Sequence, residues 1–77
     1  MEFKRDSRYI VYSDTHYIIW NRNPNREHRI FFCYRKGPKN PETNNYCDVL
    51  IGCFKCRELG IEEAWRQAKQ VCIDDLR

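Results

Sequence analysis

The residues able to carry chemistry are two histidines, five cysteines and a mid-chain run of arginine, lysine and asparagine. His16 and His28 stand apart from any Ser, Cys or Asp arrangement that forms a nucleophile motif, and no glycine-rich phosphate loop is present. A chain of 77 residues also has little room for a water-excluding pocket, so it is read as a non-enzyme with no small-molecule substrate. Cys53-Phe-Lys-Cys56 is a CxxC, with Cys33 and Cys47 as further thiols. A zinc tetrahedron is usually built from two close ligand pairs, and only one close pair exists here. No metal or other cofactor is therefore assigned, Cys53 and Cys56 being the only candidates. The competing role for these thiols is that of small apolar residues filling a thin core.

Charge is unevenly placed. Between Arg22 and Lys39 six bases face Glu27 alone, whereas from Glu58 onward five acids outnumber Arg66, Lys69 and Arg77. A basic centre and an acidic end suggest a polyanion-facing side opposite a solvated helix. Mean hydropathy is −0.85, yet aromatics reach 14%, which argues for a folded chain. No apolar run approaches the roughly 20 residues of a membrane span, and the start MEFKRDSRY lacks the apolar region of a signal peptide. The odd number of cysteines is accordingly read as reduced thiols, in a cytosolic or nuclear setting.

The elements that must position these groups follow from local pattern. Residues 1–7 read as a disordered lead, and 8–77 as one sheet-plus-helix domain. Arg8 to Ser13, His16 to Asn21, Arg29 to Arg35 and Cys47 to Phe54 have the β-branched and aromatic content of strands. Asp14-Thr15 suits a tight turn, and Asn21 to Asn25 with its Pro24 is a loop. Lys36 to Asn45 is a long connection with one Gly and two Pro. Gly52 marks a bulge or a close backbone approach.

The last element is a helix from Ile61 to Leu76. Ile61, Ala64, Trp65, Ala68, Val71, Cys72 and Leu76 recur at three-and-four spacing on one side. Gly60 precedes it, and Glu62 and Glu63 put negative charge where the macrodipole favours it. Asp74 and Asp75 oppose the dipole at the other end, so the last turn is expected to fray. The fold class is thus α+β, a three- or four-stranded antiparallel sheet packed on one C-terminal helix.

The segments YIIWN, RIFFCYRKG and GCFKCRELGIEEAWRQAKQ resemble an AP-two (Apetala-two/ERF) domain of the apicomplexan type. Phe54, Leu59-Gly60, Glu63-Ala64 and Ala68 match the end of its third strand and the start of its helix. The resemblance covers Tyr17 to Leu76 and implies DNA binding in a transcription or chromatin factor, within the nucleus. It implies base contacts from Asn21 and Asn23. With it, Arg22, Arg26, Arg29, Arg35 and Lys36 are assigned to phosphates of double-stranded DNA.

With the resemblance, strand alternation implies the side-chain directions. Ile30, Phe32 and Tyr34 then face the helix, as do Leu50 and Phe54, leaving Phe31, Cys33, Arg35, Val49, Ile51 and Cys53 outward. Three features depart from the family: an apolar reading face on the third strand, Ile30 where a tryptophan is usual, and a longer connection from Gly37 to Asn45. Apolar groups read little of a base pair beyond a thymine methyl. The second expectation is therefore a protein-interaction or homodimerisation module, or a chromatin-protein contact, through Phe31, Cys33, Val49 and Ile51. A third is a small phage accessory or inhibitor protein beginning at Met1.

Overall fold

Isoleucine, tyrosine, phenylalanine and tryptophan dominate three stretches before residue 36, and each becomes strand because such side chains pack well on a pleated surface. The computed structural model describes residues 2–76; Met1 and Arg77, and with them the reading of Met1 as a start, lie outside the described residues. The strands are β1 (Lys4–Ser7), β2 (Ile10–Tyr12), β3 (His16–Trp20), β4 (Ile30–Arg35) and β5 (Val49–Lys55). They form one antiparallel sheet in chain order. A 3₁₀ turn, Arg26–His28, lies between β3 and β4. The chain closes with α1 (Cys56–Leu59) and α2 (Ile61–Asp75).

The architecture is α+β with a C-terminal helix, but the sheet has five strands. The extra strand is β1, within the lead expected to be disordered. It pairs with β2 through Lys4–Tyr12 and Arg5–Val11, with a bulge before Ser7. Its charged sequence hid it: all four residues are exposed, as befits an edge strand that discourages pairing with other chains.

The helices cover one face only. Ala64, Ala68 and Cys72, all at 0% exposure, form a small-residue stripe along α2. That stripe sits over Ile18 and Cys33, and Val11, Trp20, Phe31 and Cys56 complete the core. Small side chains let the helix axis approach the sheet closely. Gly60 between the helices has φ +81°, a conformation that glycine alone adopts without strain, and its carbonyl accepts Ala64 N–H at 2.9 Å. The thinnest dimension of the molecule is 20 Å, about one helix layer plus one sheet layer at ~10 Å each.

Side-chain direction in β4 is the reverse of the expectation. Phe31 and Cys33 are buried beneath α2 at 4% and 0% exposure, whereas Phe32 and Tyr34 lie on the opposite face with Ile30. Every residue of Ile30–Tyr34 is apolar or aromatic, so alternation carried no phase information. Phase was decided by fit, since Cys33 is the residue small enough to meet Ala68 and Cys72. Its Sγ–H reaches the Ala68 carbonyl at 3.5 Å.

On β5 the expected phase holds at Phe54, which packs against the core, and fails at Leu50. Cys33 pairs with Gly52 but Tyr34 pairs with Leu50, so Ile51 is the extra residue of a bulge. The bulge swaps the faces on either side of it. Leu50 is turned to the open face and is half exposed, while Ile51 packs against the core.

Candidate interaction face

The face without helices is built by register. One cross-strand row runs Lys4, Tyr12, Tyr17, Tyr34, Leu50, and the next runs Ile10, Ile19, Phe32, Cys53. Ile30 and Lys55 begin a third. Tyr17 and Tyr34 stack with ring centroids 5.0 Å apart and planes at 15°, the kind of cross-strand aromatic pair that stabilises a register. The aromatic and isoleucine side chains of these rows are half-buried by one another and by no further layer. At the centre is a shallow hollow lined by Ile10, Tyr12, Tyr17 and Ile19, with Asp6 and Lys36 beside it.

Polar groups at one edge hold this face in place. The Tyr17 hydroxyl donates to Asp48 Oδ2 at 2.7 Å, and Asp48 Oδ1 accepts the Gly37 N–H at 3.0 Å. Burial and the bond to Asp48 push the Tyr17 phenol well above its ordinary pKa; the same bond, with that from Gly37, holds the Asp48 carboxyl low. Lys36 Nζ donates to the Ser13 carbonyl at 2.7 Å and lies 5.3 Å from the Tyr12 ring centroid. These contacts tie the long connection back onto β3. Gly37 is required where it passes, because a Cβ there would overlap the Cys47 carbonyl.

The residues assigned to base contacts are committed within the chain. Asn21 Oδ1 accepts the Ile30 N–H at 3.0 Å, and its Nδ2 donates to the His28 carbonyl at 3.3 Å. Asn21 thus braces the loop that returns β3 to β4. Asn23 Oδ1 accepts the Asn25 N–H, and Asn25 Oδ1 in turn caps the 3₁₀ turn at Glu27 N–H.

The five bases assigned to phosphates are spread over the molecule. Arg22 lies over the Tyr9 ring, and Arg35 pairs with Asp75 at 3.2 Å. Arg26 is exposed on the 3₁₀ turn. Arg29 joins His28, Lys55, Arg57 and Glu58 around a hollow at the β4–β5 end of the sheet. Lys55 lies inside the CxxC and Arg57 directly follows it, so their charge does not stand out as part of the basic run from Arg22 to Lys39.

Of the apolar partner face expected at Phe31, Cys33, Val49 and Ile51, only Val49 is exposed, at 44%. The other three belong to or pack against the core, for the phase and bulge reasons above. The apolar residues on the face away from the helices are those of opposite parity, half-buried apart from Leu50 and Cys53.

The cysteines divide similarly. Cys33, Cys56 and Cys72 are buried, and Cys47 and Cys53 are exposed. Burial pushes the Cys56 thiol up, and contact with Cys72 together with burial pushes Cys33 far up, so both remain protonated thiols. Cys53 faces outward on the sheet while Cys56 points into the core, so the CxxC straddles two environments. Among the described residues no three Cys, His, Asp or Glu side chains gather as a metal site, and no helix is long and apolar enough to cross a membrane.

His16 has a role that its sequence position did not suggest. It is 1% exposed, with Nδ1 2.8 Å from Thr15 Oγ1 and Nε2 2.8 Å from Asp75 Oδ2. This hydroxyl–imidazole–carboxylate row joins the β2–β3 turn to the end of α2. The imidazole is sealed from solvent, and the row anchors the two elements to each other. No protein-family model, curated protein or solved structure matches the chain.

Proposed function

We propose that the domain is a protein-interaction module whose open sheet face is covered by a second copy of the chain. The observation that carries this reading is the pair of tyrosine, isoleucine and phenylalanine rows on a face that no second layer covers. Contiguous exposed apolar surface of this kind is typical of partner sites, and tyrosine suits them because its ring is apolar and its hydroxyl stays wet. A two-fold dimer needs a patch complementary to itself. Asp6 and Lys36, acid and base beside one hollow, supply that complementarity across a two-fold axis.

Sedimentation should report twice the 9.5 kDa of one chain, and Ile19→Lys with Phe32→Lys should give a folded monomer by circular dichroism. Asp6→Lys should weaken the dimer while leaving the fold intact by circular dichroism. A wild-type chain that stays monomeric up to about 1 mM, where association is worth only ~4 kcal/mol, overturns the proposal.

Duplex DNA binding, with a nuclear transcription or chromatin role, is a second reading favoured by a separate observation. His28, Arg29, Lys55 and Arg57 share one hollow in which Glu58 is the only acid, and Arg22 and Arg26 lie on the loop leading to it. Binding of this kind loses affinity with salt at a slope of about −0.9 per phosphate neutralised. Lys55→Ala with Arg57→Ala should flatten that slope by roughly two such contacts. Affinity unchanged in the double variant removes this reading.

A further inference from the structure

Trp20, Phe31 and Trp65 meet where the start of α2 crosses β3 and β4. Their ring centroids lie 5.6 Å apart for Trp20–Phe31, 6.0 Å for Trp20–Trp65 and 5.3 Å for Phe31–Trp65. Together with Arg5, Arg29, Ile61 and Glu62 they line a hollow of about 240 Å³. This hollow is on the helix side of the sheet, opposite the face proposed for association, and so does not depend on that reading.

Two side chains of this wall hold buried N–H groups without hydrogen-bond partners among the described residues: Trp20 Nε1 and Arg29 Nε. Buried donors are nearly always paired, so two orphans in one small wall call for an explanation. Trp20 is nine-tenths buried, at 9% exposure. The two guanidiniums outweigh the single carboxylate, leaving the wall one positive charge in excess. Arg5 and Glu62, which line the same hollow, are exposed and long, free to rearrange around a ligand.

We infer that this hollow is a binding site for a small organic monoanion, a carboxylate carried on a flat apolar body. The aromatic trio receives the apolar body, edge-on or stacked. The carboxylate takes the Trp20 and Arg29 N–H groups, with the Arg5 charge alongside. Size limits the ligand: the volume falls below the ~300 Å³ at which drug-sized sites begin, so it holds one ring with its carboxylate.

The test is titration of the ¹⁵N-labelled protein with benzoate, followed at the two indole N–H resonances. Trp20→Phe assigns the Trp20 peak by its disappearance. Benzoate should move the Trp20 N–H resonance saturably, and the neutral benzamide should not. Arg29→Ala should weaken binding about tenfold or more, the usual scale for one charge-assisted hydrogen bond. Trp20→Phe, which keeps an aromatic ring and loses the donor, should weaken it as well, with the Trp65 resonance reporting an intact fold. No shift at 10 mM benzoate, on the order of the weakest useful affinity, overturns the inference. So does equal binding of benzamide, or equal binding of acetate, which would mark an adventitious ion only.

Discussion

Asp75 concentrates more of the fold on one side chain than any other charged residue of the helix. Its two oxygens take His16 Nε2 at 2.8 Å and Arg35 Nη1 at 3.2 Å, so the last turn of α2 is fastened to β3 and β4 rather than frayed. Arg35 supplies positive charge to a last helical turn that has no base within it. Asp75→Ala leaves the sealed His16 nitrogen unpaired and should cost about 1–3 kcal/mol in urea unfolding. Its neighbour Asp74, whose side chain meets Gln70 alone among the described residues, should change stability by no more than about 0.5 kcal/mol when replaced by alanine. Tyr17 gives a pH signature. Its native pKa is raised above the roughly 10 of an unfolded tyrosine, so unfolding releases a proton above that pH and stability falls as pH rises. Tyr17→Phe should flatten this alkaline slope in thermal unfolding between about pH 9 and 12. Asp48 works in the other direction: its native pKa is lowered, so its contribution is present above the ordinary carboxylate pKa and is lost as acid protonates it.

Two elements set which sheet face is covered and which is left open. The first is the small-residue stripe of α2, which lets the helix sit low enough for Trp65 to reach Trp20 and Phe31. Ala68 has no exposed surface, and the carbonyl of the same residue receives Cys33 Sγ. Ala68→Leu has no void to enter and should cost about 1–3 kcal/mol by overpacking, read as a lower urea midpoint with an unchanged slope. The second is the bulge at Ile51. It moves Leu50 onto the tyrosine row and leaves Gly52 under the helix, where a Cβ would stand 2.9 Å from the Phe54 ring and 3.3 Å from Val71. One extra residue therefore enlarges the open apolar face by a leucine and opens room for the helix at the same point.

As a whole the molecule is a two-layer slab that wants a third layer. Helices packed on one side of five strands leave the second sheet face to neighbours or water, and small domains have little stability to spare for uncovered apolar surface. Association through that face, as proposed above, would couple folding to dimerisation. The melting temperature should accordingly rise with protein concentration, as it does for any fold stabilised by a second copy. Ile19→Lys with Phe32→Lys should remove the concentration dependence, and a melting temperature independent of concentration in the wild type would contradict the coupling.

Much of this architecture was legible from the residues. The three-and-four spacing from Ile61 to Cys72 specified α2 and its buried stripe, and Gly60 marked its start, because helix periodicity and backbone permissiveness are local properties. The aromatic and β-branched runs located β2 to β5 within a few residues. Pattern could not supply the phase of Ile30–Tyr34, where both faces are apolar and only the fit of Cys33 beneath Ala68 and Cys72 selects one. Nor could it supply the bulge at Ile51, which alternation counts as an ordinary residue. Strand β1 escaped because an exposed edge carries no apolar period. The anchor from Thr15 through His16 to Asp75 joins residues nearly sixty positions apart. The hollow between Arg5, Arg29 and the Trp20–Phe31–Trp65 trio likewise draws on β1, β3, β4 and α2 at once. Contacts of that kind depend on where distant elements are brought together in space, and spacing along the chain does not encode it.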